Sequence, residues 1–251
     1  MSTSPPVPRA GTRALVWLVL SFAMLWVPLG QHDFLHAHWM KLGTFMAPFL
    51  LFAGDALDRG EREGWRGPRR LSLLLLVAYI AHQFEEHWVD VEGNVYAFHA
   101  SVNGLLQSVT GTDVAPLSPA GIFVIKTSLV WLVAALAMWR SHVHVFPALA
   151  MVAIVLVNGA AHIALAVVRQ AYNPGLLTSV VLFLPAGAFA LRALSAPRRQ
   201  VAAAMAWGVL AHVIMVGGLV AGNVLGLFPE PVYFAALVLW SVVPILLFRP
   251  S

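Results

Sequence analysis

Runs of about twenty apolar residues, separated by short connections that carry arginine, constrain this chain more than any other feature. A bilayer core takes roughly 20 helical residues to cross and admits only helices or closed barrels, because every backbone polar group must be satisfied internally. Eight stretches have the required length: 14–30, 39–57, 71–89, 119–139, 145–168, 175–194, 201–223 and 232–248. With 60% hydrophobic and 10% charged residues in 251, and a mean hydropathy of +0.80, the composition agrees with an all-α polytopic transmembrane bundle. The stretch 39–57 is the weakest, since Lys41, Pro48 and Asp55 interrupt it. If it is re-entrant, the spans number seven.

The distribution of cations orients the bundle. With eight spans and both termini cytoplasmic, that side receives Arg9, Arg13, Arg59, Arg62, Arg66, Arg69, Arg70, Arg140, Arg192, Arg198, Arg199 and Arg249, and the other side only Lys41 and Arg169. Cytoplasmic loops carry such an excess. The basic pI near 10.0 therefore reflects membrane orientation, and no nucleic-acid role is expected. Residues 1–13 read as a cytoplasmic tail and 14–251 as one membrane-embedded domain. Arg9 and Arg13 before an apolar run resemble a signal peptide, but no small-residue cleavage pattern follows, so the run is expected to be a retained span.

Ionisable side chains inside such a domain are costly and read as functional by default. The outer part of the third run holds His82-Gln83-Phe84-Glu85-Glu86-His87. On a helix, Glu85 lies roughly 60° to one side of His82 and Glu86 roughly 40° to the other. At similar depth the orientation places His162, with Asn158 one turn deeper on the same face, as well as Lys126 and the segment His32-Asp33-Phe34-Leu35-His36-Ala37-His38. Cysteine is absent, which excludes thiolate-ligated metal and Fe–S clusters. Imidazole with carboxylate suits zinc, iron or manganese. His82, Glu86 and His162 are candidate ligands, with one of His32, Asp33, His36 or His38 as a fourth.

Glu85 and Glu86 are the candidate catalytic carboxylates, Glu85 as general base, with their roles interchangeable at this level. An open position on zinc would activate water. Hydrolysis of a lipid or other amphipathic substrate near the outer leaflet is the leading expectation. A proton- or cation-coupled transporter, with Glu85, Glu86, His162 and Lys126 as a relay, is the alternative, and a non-catalytic helical scaffold is a third. Simple packing also explains the residues if Lys126 pairs with a glutamate and Asn158 and His162 bond across helices. His212, alone in the seventh run, reads first as an interhelical hydrogen-bonding group. The loop 90–118 lacks Lys and Arg and is long for a connection; a lid, or a polar loop with an interfacial helix near 98–109, fits it.

His82-Gln83-Phe84-Glu85-Glu86, followed by Asn158-Gly159-Ala160-Ala161-His162 and by Tyr172-Asn173-Pro174-Gly175, resembles the family of bacterial integral membrane proteins named for its HXXEE motif. The resemblance covers residues 71–194. It implies a bacterial plasma-membrane location and marks His82, Glu85, Glu86, Asn158 and His162 as signature positions. It implies no reaction, since that family's function is uncharacterised.

Overall fold

The computed structural model describes residues 32–57 and 64–247, with side chains described for 36–51 and 64–247. The expected first span at 14–30, the tail 1–13 and Arg59, Arg62 and Arg249 lie outside the described residues. Within them the regular secondary structure is helical apart from one antiparallel bridge between Val89 and Val95. The helices are α1 (His32–Leu57), α2 (Pro68–His87), α3 (Ala97–Thr110), α4 (Pro119–Arg140), α5 (Phe146–Arg169), α6 (Leu176–Leu194), α7 (Arg198–Val224) and α8 (Glu230–Leu247). Helices α4 to α8 are long and apolar enough to cross a membrane. Helix α2 is not among these five, because Arg69, Arg70, Glu85 and Glu86 crowd its ends.

The distribution of polarity is that of a bundle solvated by lipid. Val167, Val168, Val213 and Leu239 stand exposed, while His82, Glu86, Lys126, Thr127 and Ser128 are buried. In water this arrangement would leave a large apolar surface wet and strand charges inside. Helix α4 is the central element: 89% of its most apolar stretch is buried, against 22–39% for α5 to α8. Helix α2 lies against α1, α4, α5 and α6, so its charged end is enclosed by protein.

Local chemistry sets the helix ends. Ser118 caps α4 by accepting from the Gly121 amide at 2.8 Å, Pro119 occupies the first turn, and the Ser118 hydroxyl donates to Glu230 of α8 at 2.7 Å. One difference concerns the His32–His38 segment. It is the start of α1 and continues without a break to Leu57, where the sequence suggested the outer end of the preceding span. Nothing in it breaks a helix before Pro48.

Three helices contain a π-helical turn: Thr127–Leu132 in α4, Ser179–Phe183 in α6 and Val220–Val224 in α7. Such turns insert a residue into the ladder and concentrate at functional sites. Two of them begin directly after Lys126 and Thr178. The α5–α7 contact is set by size, since a Cβ on Gly208 would stand 3.0 Å from Ala153 Cβ; beyond that point the two helices leave room for a cavity.

Candidate metal centre

Adjacent residues on a helix point about 100° apart, so Glu85 and Glu86 of α2 serve different neighbours. Glu86 turns inward. Its Oε1 lies 3.4 Å from His82 Nε2 and 3.2 Å from His162 Nε2 of α5, and its Oε2 accepts from Lys126 Nζ of α4 at 2.5 Å. One ligand atom from each of His82, Glu86 and His162 falls within 4.8 Å of the others, all three residues being buried. His87 Nε2 adds a fourth approach, 3.4 Å from Glu86 Oε2.

Glu85 turns instead to the start of α6. Its Oε1 accepts from the Tyr172 hydroxyl at 2.8 Å and the Leu177 amide at 3.0 Å, and its Oε2 accepts from the Thr178 amide at 2.8 Å and the Thr178 hydroxyl at 2.5 Å. A carboxylate on the free amides of a helix N-terminus is electrostatically favoured. Burial and then the Glu85 hydrogen bond push the Tyr172 phenol well above its usual range, so it remains a donor. Both oxygens of the expected general base are thus already committed.

The hydrogen bonds behind the two imidazoles fix their tautomers. The Thr178 hydroxyl has one proton, and its oxygen neighbours Glu85 Oε2 and Gly175 O are both acceptors. Towards His82 Nδ1, at 2.8 Å, it can only accept. His82 therefore carries its proton on Nδ1, which leaves a lone pair on Nε2. In His162, Nδ1 lies 2.7 Å from Asn173 Oδ1. Donation from Asn173 Nδ2 to the His162 carbonyl at 3.0 Å fixes which way that amide faces. His162 too carries a proton on Nδ1, so in the neutral ring the lone pair lies on Nε2.

With both rings neutral, three electron-pair donors converge within 4.8 Å of one another. Neither His82 Nε2 nor Glu86 Oε1 has a hydrogen-bond partner, which in a buried site is costly. A cation between them removes the conflict. Ligands about 2.0–2.1 Å from a tetrahedral ion stand roughly 3.3 Å apart, close to the 3.4 and 3.2 Å between Glu86 Oε1 and the two imidazole nitrogens. The donor set of two imidazoles and a carboxylate fits zinc, iron or manganese.

Gly175 closes the site. Its φ is +96°, and a Cβ there would come within 2.7 Å of both histidine rings and 3.1 Å of Glu86 Cγ. Only glycine meets the conformation and the space together.

The structure accordingly brings together His82, Glu86, His162 and Lys126, and directs Glu85 elsewhere. Asn158 is buried nearby with its Oδ1 unpartnered. The His36 ring packs on Phe123, 5.4 Å between centroids, and is not one of the converging three. The side chains of His32 and Asp33 lie outside the described residues. Sequence reasoning missed Thr178, Asn173, Gly175 and His87 as parts of the site. The Tyr172-Asn173-Pro174-Gly175 turn was the one signal for the second and third; a lone threonine on an apolar helix carried none.

Residues 73–190 match the family described as a protein of unknown function with HXXEE motif. This matched segment contains every residue of the cluster. No curated protein and no solved structure matches the chain.

Proposed function

We propose that the chain is a membrane-embedded, metal-dependent enzyme in which His82 and His162, through Nε2, and Glu86, through Oε1, hold one divalent ion. The observation that carries this reading is the convergence of three buried ligand atoms within 4.8 Å of one another, with Glu86 Oε1 3.4 and 3.2 Å from the two imidazole nitrogens. A bound ion would supply Lewis acidity and activate water for hydrolysis of an amphipathic substrate. Thr178 and Asn173 orient the two imidazoles. Outer-shell partners of this kind commonly govern affinity. Lys126 occupies the second oxygen of Glu86 and leaves Oε1 for the ion. Glu85 acts through Thr178 as a positioning residue, and is not assigned as the base.

Elemental analysis after chelator-free purification tests this. About one equivalent of zinc, iron or manganese per chain is expected, and loss of most of it in His162→Ala. A metal-free wild-type protein would sink the proposal.

One observation favours a second reading, proton- or cation-coupled transport. The cluster holds more ionisable groups than three ligands require: His87 Nε2 is buried without a hydrogen bond, yet His87 also lines an open groove of about 610 Å³ with His36 and His99. Flux in proteoliposomes that disappears in Glu86→Gln, with no bound metal, would establish transport instead.

A further inference from the structure

Beside the cluster, under α3 and between α4, α5 and α7, lies a cavity of about 350 Å³. Its walls are largely hydrocarbon. Helix α3 forms the roof with Phe98, Val102, Leu105 and Leu106, positions spaced i, i+4, i+7 and i+8 that place them on one helical face. That roof is pinned in place: the Asn103 amide group donates to the Leu117 carbonyl at 3.1 Å and accepts from the Leu117 amide at 2.8 Å, and His99 Nε2 donates to the same carbonyl at 2.7 Å. The mouth lies on the α5–α7 side, where Ala161 and Val216 are exposed.

The polar groups of the cavity are few and specific. Lys126, Asn158, His162 and His212 reach its wall. The Lys126 charge is already matched by Glu86. The His212 Nδ1 donates to the Gly208 carbonyl at 2.8 Å, which leaves its other nitrogen as an acceptor, and Asn158 Oδ1 is a second acceptor without a partner. A ligand therefore meets hydrogen-bonding groups but no uncommitted cation. Its volume is at the lower end of about 300–1,000 Å³ for small-molecule sites, enough for one chain and too little for a two-chain lipid.

From this geometry we infer that the cavity binds the hydrocarbon chain of a neutral single-chain amphiphile with a hydrogen-bond-donating head, a long-chain primary amide or its alcohol analogue, which enters from the bilayer between α5 and α7 and donates to the acceptors of Asn158 and His212. The inference deepens the proposed function by naming its substrate class, and the binding step does not require the metal.

Photolabelling with a diazirine-bearing hexadecanol tests it, on the full chain in phosphatidylcholine nanodiscs. Label is expected on residues 98–106, 154–165 and 212–219, competed by unlabelled hexadecanol and not by the excess of two-chain lipid. Ala161→Trp at the mouth should lower labelling by about tenfold or more, equivalent to about 1.4 kcal/mol of binding, because the indole fills the entrance. Val216→Trp, on the opposite lip, should do the same and guards against a folding defect in the first variant. A wild-type protein that is metal-free after chelator-free purification and still labels there loses the enzyme reading and keeps this one. Uniform labelling of the lipid-facing helices, insensitive to either tryptophan, would overturn the inference. Equal or stronger labelling by the matching diazirine palmitate would overturn the neutral head.

Discussion

At the scale of single residues, the site is organised by what stands behind its ligands. Thr178 is the clearest case: one hydroxyl donates to Glu85 and accepts from His82, and so decides which nitrogen of His82 is free. Thr178→Val keeps the shape and removes that relay, and metal affinity measured by chelator competition should fall by about 10–100-fold, with Thr178→Ser restoring most of it. Lys126 makes a different prediction. Breaking a buried ion pair typically costs about 3–5 kcal/mol, because the remaining charge is stranded. Lys126→Met should lower the unfolding temperature in detergent, and by more in chelator-treated than in zinc-loaded protein, since a bound cation compensates Glu86. An equal loss in both states would mean that no cation occupies the cluster. The motif His82-Gln83-Phe84-Glu85-Glu86 was legible in the sequence as a set of candidate positions. The division between the glutamates was not, because it depends on which helix lies on each side of α2.

At the scale of elements, the α5–α6 connection is the part that completes the cluster. Asn173, Gly175 and Thr178 all come from it or from the first turn of α6, and Glu85 fastens that turn to α2. Gly175→Ala adds a methyl group at a positive φ where both histidine rings are 2.7 Å away. Metal content should drop to background while helicity by circular dichroism stays within error of wild type; retained stoichiometric metal would show that the turn does not close the site. The π-helical turn after Thr178 was invisible in the sequence, since nothing in Ser179-Val180-Val181-Leu182-Phe183 distinguishes it from ordinary apolar helix. The segment 90–118 was expected as a lid or as a polar loop with an interfacial helix near 98–109. Its anchoring through Asn103 and His99 makes it a fixed roof in this structure.

At the scale of the whole molecule, the arrangement is an apolar exterior around polar contents, with α2 and α4 enclosed by the others. The absence of cysteine makes the proposed orientation testable directly. Ser108→Cys, in the α3 region, should react with a membrane-impermeant maleimide from the non-cytoplasmic side of intact cells, and Ser195→Cys, between α6 and α7, only after permeabilisation. Reaction of both in intact cells would overturn the orientation. The apolar runs determined by themselves that the chain is helical and suited to a bilayer, because helix length and hydrocarbon thickness are matched by local composition. Helices α4 to α8 begin and end within a few residues of the runs that announce them. The tertiary structure alone decided which polar atoms meet. A tautomer, a carboxylate's direction and a cavity depend on groups from α2, α4, α5, α6 and α7 arriving at one point, and no periodicity along one helix encodes the rotation of its neighbours.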